Sequence, residues 1–390
     1  MRSRTTHSIS SQQVQQWALE WLIDAKLLKK DQGWKCTVVV VWSIVLRAAA
    51  RMSSLWAACC DLAQAPSSQA VTTALRAQLP KTLKVLEQRL QGVLTAHLPR
   101  RLTRTAWTVA IDWHLVPYYG QPESSRNELY YGKPSHGTTK FHAYASACIV
   151  SHGVRYTIAL TWVRRHEHTI TALERLLAQI RGKNLGIRRL LLDRAFFNVP
   201  VTGFLQQQDI PFLMPVVFRG RAPKNPRKAT GLRWLKRQPA GWYSHTLKNG
   251  PRQVTLCVCV AYRVHKNRKD GKRKANKLLF GAWKVYGSPT EIRELYRKRF
   301  GIETSYRQWR QARIYTCTRD PHLRLLFVAI GLLLRNIWVW IHDLLLSEGC
   351  DERRTMHLEL LRFRRMLDWI ATEVAARLHD GSRPCISTTD

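Results

Sequence analysis

The chain has 390 residues, and 45% of them are hydrophobic, so it can bury a sizeable core and is not a disordered tail. It carries 63 Lys and Arg against 26 Asp and Glu, a formal net charge of +37. Such an excess of positive charge predicts a polyanionic partner, with nucleic acid favoured and an anionic membrane surface as the alternative.

Residues 1–104 are predicted to form a helical N-terminal region that binds DNA. Within it, one helix is predicted to end near Ala65-Pro66, and Ser67 or Ser68 is expected to cap a second helix carrying Val71, Leu75 and Leu79. This spacing is typical of a helix-turn-helix, although any hairpin of two helices gives the same pattern. Nine scattered cysteines without a C-x-x-C pair favour reduced thiols over disulfides or a zinc site.

Strand patterns begin at residue 105. Five segments are predicted as strands: residues 105–120, KFHAYASACIV, VRYTIALTWV, IRRLLLDRAF and IPFLMPVVF. A polar loop with Gly132, Pro134 and Gly137 is predicted after the first of them. Residues 169–184 have a helical period between the third and fourth strands, and a short helix precedes the fifth. The order β-β-β-α-β-α-β predicts that 105–218 forms the first part of an RNase H-like α/β core.

Residues 219–285 are predicted to form a basic, β-rich insertion. Between 219 and 282 the chain has 18 Lys and Arg and one acid, Asp270, with hairpin signals at Asn249-Gly250 and Asp270-Gly271. The segment KNRKDGKRKANK (266–277) is either a solvated turn or, as we favour, a contact for DNA phosphates. Its predicted DNA-binding residues are Lys266, Arg268, Lys269, Lys272, Arg273 and Lys274.

The last part of the core is predicted at 286–346, and 347–390 as a C-terminal helix and tail. After Ser288-Pro289 a single long helix is expected, on which Tyr296, Arg299, Glu303 and Arg310 share one stripe. Taken alone, Glu303 reads as an i,i+4 charge partner of its basic neighbours. The apolar segment 323–346 is long enough to span a membrane, but Arg335 and Asn336 interrupt it, so we predict a buried core helix.

Two further carboxylates alter the interpretation of Glu303. Asp112 lies inside an apolar strand and Asp193 ends the run LLLD, where ionised carboxylates are costly unless they are paired or bind metal. The first and fourth strands of an RNase H-like sheet are neighbours, and the following helix would bring Glu303 to the same edge. Three convergent carboxylates are suitable ligands for Mg²⁺, so Asp112, Asp193 and Glu303 are the predicted metal ligands and catalytic residues.

These residues resemble the DDE transposases of prokaryotic insertion sequences, in the superfamily marked by Y-x2-R-x3-E-x6-K. The motif falls on Tyr296, Arg299 and Glu303, with Arg310 in the place of the Lys. The resemblance covers about 105–345, including the β-rich insertion and the apolar helix after the motif. It differs directly after the first Asp, where many relatives have a second polar residue and this chain has Trp113.

The resemblance implies cleavage at the ends of a mobile element and transfer of the freed 3′-OH strands to target DNA by two-metal-ion phosphoryl transfer. It implies two Mg²⁺ ions, for which Mn²⁺ is expected to substitute. The implied partners are double-stranded DNA, as terminal inverted repeats and as target, and a second copy of the chain in a homodimer on DNA. Tyr296, Arg299 and Arg310 would contact phosphates, and Trp234, Trp242 or Trp283 is a candidate to hold a flipped base.

The expected location is the cytoplasm of a prokaryote, at the nucleoid and not in a membrane. Two other functions stay open at this point. One is a non-catalytic DNA-binding protein derived from a transposase, and the other is an RNase H-like nuclease that cuts by DNA shape.

Overall fold

The computed structural model describes residues 8–121, 129–151, 155–218, 225, 228–266, 273–348 and 355–378. The N-terminal part is helical: α1 (Ser11–Asp24), α2 (Val38–Ala50), α3 (Leu55–Cys60), α4 (Ser68–Gln78) and α5 (Leu83–Thr95). The next elements are β1 (Ala106–Pro117), β2 (Tyr130–Ser135), β3 (Thr138–Ile149), β4 (Thr157–Val163), α6 (Thr169–Arg181), β5 (Gly186–Leu192), α7 (Val199–Gln207) and β6 (Phe212–Pro215). They are followed by α8 (Gly231–Leu235), β7 (Gly241–Asn249), β8 (Arg252–Lys266), β9 (Arg273–Trp283), α9 (Pro289–Arg297), α10 (Phe300–Trp309), α11 (Pro321–Ile341), β10 (Ser347–Glu348), β11 (Thr355–Met356) and α12 (Phe363–Leu378).

The chain divides into two compact units. The helical unit comprises 1–100, 152–162 and 304–390, and the sheet unit comprises 101–151 and 163–303. The predicted boundaries at 104, 218, 285 and 346 follow the sequence pattern and remain predictions.

The sheet unit is built on one mixed sheet with the strand order β2-β3-β1-β5-β6-β9-β8-β7. β1 pairs antiparallel with β3 and parallel with β5, and β5 pairs parallel with β6. The parallel strands are connected through helices, because a parallel crossover needs a long connection. This arrangement confirms the predicted RNase H-like α/β fold.

β2 corrects one expectation, because residues 130–135 were predicted as loop. They form a strand against β3 through a turn at His136-Gly137, both of which have positive φ. Gly132 and Pro134 are unfavourable in a central strand, but β2 ends the sheet, and an edge strand tolerates Pro because its outer N–H groups need no partner.

The predicted insertion extends the main sheet. β9 pairs antiparallel with β6, from Phe212 opposite Trp283 to Pro215 opposite Phe280. β8 then pairs with β9, and β7 with β8 around the turn at Asn249-Gly250. The three strands of the insertion are therefore anchored on the core strand β6.

In the helical unit, α11 is the central helix. The segment Pro321–Leu346 has the length and composition of a membrane span, with a mean hydropathy of 1.8, but 94% of its apolar window is buried inside the protein. The amide of Asn336 donates to the carbonyls of Leu94 and Thr157 and accepts from the Thr157 N–H. These contacts explain the buried polar residue in an apolar helix and confirm the predicted core helix.

The predicted helix pair is present near the N-terminus. α3 ends at Cys60, earlier than the predicted end near Ala65-Pro66. α4 begins after Ser67, whose side chain accepts from the N–H of Ala70, and it ends at Gln78, so Leu79 lies just beyond it. Val71, Ala74 and Leu75 bury one face of α4. A role of this pair in DNA recognition remains a prediction.

Candidate active site

Asp112 is held within the central strand β1, opposite Ser146 of β3. Its side chain is 17% exposed, and Oδ1 accepts from the N–H of Trp113 at 2.9 Å. Burial raises the pKa of this carboxyl to about 6, and the nearby charges of Asp193 and Glu303 add to the effect, while Arg299 and the Trp113 N–H oppose it. The group remains ionised at neutral pH, but at a cost that a cation must offset.

Asp193 follows directly after β5. The register of β1 and β5 pairs Ile111 with Leu192, so the next residue of each strand brings Asp112 and Asp193 to the same end of the two strands. This confirms that the first and fourth predicted strands are neighbours. Tyr296 also binds the end of β5, because its hydroxyl donates to the Leu192 carbonyl at 3.1 Å.

A close approach of β9 supports the turn after Asp193. Phe197 is buried, and its ring lies against Gly281 so tightly that a Cβ there would be 2.6 Å from Cε2 of the ring. Only glycine leaves this space, so β9 and the Asp193 turn are packed together at this point.

Glu303 lies on α10, which corrects the expectation of one long helix. The helix is interrupted at Lys298-Arg299, where the N–H groups of Lys298, Arg299, Gly301 and Ile302 bond carbonyls three residues earlier. This tighter winding separates α9 from α10. A glycine at 301 favours the interruption, because it lowers helix propensity. Arg299 and Glu303 still face each other, with Nη1 donating to Oε1 at 3.1 Å.

The guanidinium of Arg299 joins the three carboxylates. Its Nη2 lies 2.9 Å from Oδ2 of Asp112 and 3.7 Å from Oδ1 of Asp193, and its Nη1 contacts Glu303. The Arg299 side chain is only 6% exposed. Burial acts to lower its pKa, but Asp112 and the other acids outweigh burial, so the pKa of Arg299 is raised. The structure thus brings together all three predicted acids around one buried cation.

The donor set suits a divalent cation. Carboxylate oxygens are the ligands that Mg²⁺ prefers, and burial, which raises the pKa of Asp112, makes a neighbouring cation favourable for its ionised form. Within the described part of the chain, no three His, Cys, Asp or Glu side chains already stand at metal-binding separation. At this site the three carboxylates are arranged around a guanidinium, so their chemistry fits a metal but their present spacing fits Arg299.

The other predicted DNA-binding residues are placed as follows. Tyr296 is buried, with its ring centroid 5.0 Å from that of Phe280, and Arg310 is exposed at the start of a short 3₁₀ turn, Arg310–Ala312. Lys266 pairs with Arg273, and His265 with Lys274, at the end of the β8–β9 hairpin. Arg268, Lys269 and Lys272 lie outside the described residues.

The three tryptophan candidates differ in their surroundings. Trp283 stacks on Phe212 and has Lys284 over its ring. Trp242 is 36% exposed and donates to the Gly287 carbonyl, and Trp234 is 47% exposed. The exposure of Trp234 and Trp242 keeps both accessible to a base, whereas Trp283 serves packing.

The sequence pattern predicted the contact of Arg299 with Glu303 but missed three others: Arg299 with the two aspartates, Tyr296 with the Leu192 carbonyl, and Gly281 with Phe197. The assignment of Arg299 and Tyr296 to DNA stays a prediction. A signal for Arg299 existed in its i,i+4 spacing to Glu303. No local signal links Tyr296 to Leu192 or Gly281 to Phe197, because both contacts join segments remote in sequence.

Comparisons with known proteins identify a family and a similar solved structure. The family model described as "Transposase DDE domain" matches residues 103–337. A sequence comparison with curated proteins finds no match. Among solved structures, the chain is similar to piggyBac transposase in a cryo-EM synaptic complex with hairpin DNA. The identity is 13% and the TM-score 0.49, over 98% of this chain and 84% of that chain.

Proposed function

The chain belongs to the transposase DDE domain family, which matches 103–337, and from this premise we propose how it acts as a DNA transposase. It cleaves the ends of a prokaryotic insertion sequence at its terminal inverted repeats and joins the freed 3′-OH ends to target DNA. The observation that carries the proposal is the convergence of Asp112, Asp193 and Glu303 on one buried guanidinium.

Asp112, Asp193 and Glu303 would hold the divalent metal, as two Mg²⁺ ions that Mn²⁺ can replace. Bound metal supplies Lewis-acid activation of the attacking oxygen and stabilises charge on the transferred phosphate. Asp112, fixed in β1, provides a rigid ligand, whereas Asp193 and Glu303 are 44% and 40% exposed and face incoming DNA more openly.

The basic residues bind DNA. Lys266, Arg268, Lys269, Lys272, Arg273 and Lys274 would contact backbone phosphates from the β8–β9 hairpin, and Arg310 would do so from its exposed position. Phosphate contacts set the position of DNA without reading its sequence. The helix pair α3–α4 in the predicted N-terminal region of 1–104 is the candidate for reading the repeat. A homodimer would pair the two element ends, in the cytoplasm at the nucleoid.

The test is a nicking assay on DNA carrying the inverted repeats that flank the reading frame. Wild-type protein is run with Mg²⁺, with Mn²⁺ and with a chelator, beside Glu303→Gln and Asp193→Asn. We expect metal-dependent cuts at the repeat ends and a loss of at least about 10³-fold in both variants, with DNA affinity nearly unchanged.

Two exposed acids of the same unit supply matched controls. Glu294→Gln, on α9, removes a carboxylate that pairs with Arg293 and Arg297, and Asp209→Asn removes the partner of Lys284. Both should cut normally. Full cleavage by Glu303→Gln, or tight binding by the wild type without cuts under either metal, would contradict the proposal and favour a non-catalytic DNA-binding protein. Metal-dependent cutting without preference for the repeats would favour the nuclease.

A further inference from the structure

Arg299 is the common partner of three acids that the proposed function assigns to metal. A single guanidinium contacts Asp112, Glu303 and Asp193 at 2.9, 3.1 and 3.7 Å. A DNA-contacting arginine is expected to present its charge to solvent, yet this side chain is 6% exposed. Its position is therefore explained by the carboxylates and not by an open phosphate-binding surface.

The guanidinium is held by charge more than by a full set of hydrogen bonds. Its Nε is buried, and among the described residues it has no hydrogen-bond acceptor. A buried donor without an acceptor destabilises the position that holds it. The three acids with Arg299 keep a net formal charge of two negative, so the pocket still attracts cations. Arg299 thus neutralises the three acids only in part, and cations of higher charge can replace it.

Two divalent ions and the guanidinium cannot share this space. With both ions bound and Arg299 in place, the cluster would become net positive, with like charges a few ångströms apart in a partly buried site. One of the cations must leave, and Arg299 is the one that carries a flexible side chain. The break between α9 and α10 at Lys298-Arg299 provides backbone that is not part of a regular α-helix at this residue.

We propose that Arg299 is a built-in placeholder cation, which neutralises Asp112, Asp193 and Glu303 in the metal-free protein and is displaced when divalent metal binds. The proposal rests on the proposed function, because it assumes the same three metal ligands. It adds an order of events: while Arg299 lies among the carboxylates, it cannot bind a phosphate. Metal binding releases it, so the contact of Arg299 with DNA follows metal loading.

The test measures Mn²⁺ binding to the full chain without DNA, by isothermal titration calorimetry. Arg299→Gln should bind Mn²⁺ about tenfold or more tightly than the wild type, because no guanidinium has to be displaced. With a chelator present, Arg299→Gln should melt at a lower temperature than the wild type, and Mn²⁺ should raise its Tm by more. Arg297→Gln is the matched control, since Arg297 is 68% exposed and pairs with Glu294; it should bind Mn²⁺ like the wild type.

If Arg299→Gln does not fold, Arg299→Lys replaces it. An ammonium cannot bridge several carboxylates as a planar fork does, so its Mn²⁺ affinity should exceed that of the wild type by about threefold or more. Unchanged or weaker Mn²⁺ affinity in the folded variant overturns the proposal.

Asp112→Asn distinguishes a failure of the placeholder role of Arg299 from a failure of the proposed metal site. If Asp112→Asn abolishes Mn²⁺ binding while Arg299→Gln equals the wild type, the placeholder role alone is wrong. If neither the wild type nor Arg299→Gln binds Mn²⁺, both the placeholder role and the proposed metal site are wrong.

Discussion

Asp112 shows how a costly residue can be tolerated in a strand core. A carboxylate between Ile111 and Trp113 would be unfavourable alone, and burial raises its pKa to about 6. The sequence was sufficient to single out Asp112, Asp193 and Glu303, because a charged residue within or after an apolar run breaks a simple pattern. The sequence was not sufficient to assign Arg299 to all three, since that contact depends on where the helix is interrupted.

His342 gives a pH prediction outside the site. It is fully buried, with Nε2 2.8 Å from the Leu361 carbonyl, and among the described residues its Nδ1 has no hydrogen-bond partner. Burial lowers the pKa of His342, so the folded protein favours the neutral ring. The stability this provides is complete above the unfolded pKa of about 6.5 and is lost as pH falls below that value and through the lower pKa of the folded protein.

The measurement compares Tm at pH 7.5 and pH 5.5. His342→Gln should lower the free energy of unfolding by about 1 kcal/mol at pH 7.5, because its hydrogen bond to Leu361 is altered. The difference in Tm between this variant and the wild type should be smaller at pH 5.5. His168→Gln, an exposed control, should follow the wild type at both values. A constant gap for His342→Gln would contradict the prediction.

At the scale of elements, apolar runs identified β1, β5 and β6, whose hydrophobic residues alternate or cluster as buried strands do. β2 was missed, since Gly132 and Pro134 indicate a loop unless the strand is known to be an edge. The continuous 3.6-residue period after Pro289 hid the break at Lys298-Arg299, because tight turns of 3₁₀ type leave the hydrophobic pattern nearly intact. The local sequence pattern therefore predicted the presence of helices and strands better than the residues at which they end.

The packing of Phe197 on Gly281 leads to a prediction about β9. Gly281→Ala would place a methyl group 2.6 Å from the Phe197 ring and 3.0 Å from Leu256 Cδ1. We expect a destabilisation of about 1–3 kcal/mol, and slower cleavage because the turn after Asp193 must move. Gly241→Ala, on β7, is the control, since its nearest heavy atom would be at 3.8 Å.

Both variants are measured by chemical denaturation and by the nicking assay. Gly241→Ala should remain within about 1 kcal/mol of the wild type and cut at the same rate. If Gly281→Ala is as stable and as active as Gly241→Ala, the contact does not support the site.

At the scale of the whole molecule, the charge of +37 predicted a polyanionic partner, and membership of a transposase family agrees with DNA. The pairing of the insertion with β6 could not be derived from the sequence, because hairpin signals specify which strands follow each other but not which edge receives them. The buried α11 was predictable, as Arg335 and Asn336 have no place in a lipid-facing helix.

The charge leads to a prediction on DNA affinity and salt. The logarithm of the binding constant should fall linearly with the logarithm of salt concentration, with a slope of about −0.9 for each phosphate neutralised. The triple variant Arg268→Gln, Lys269→Gln and Lys272→Gln should make the slope shallower by about 2–3. An equal neutralisation at the exposed Arg181, Lys183 and Arg188, which lie outside the proposed DNA-binding segments, should leave the slope nearly unchanged. Equal effects of the two variants would indicate nonspecific attraction by net charge.

Arg299 precedes Glu303 by one helical turn, and this spacing has a consequence for the chain as the ribosome makes it. Asp112 and Asp193 emerge first, and the third acid emerges together with its counter-ion, since residues are added one after another from the N-terminus. The nascent protein therefore never carries the complete acidic triad without a cation of its own. Under the proposed function, a chain that stops early, before α10, lacks Glu303 and therefore one of the three proposed metal ligands needed to cut the DNA of the cell that is producing it.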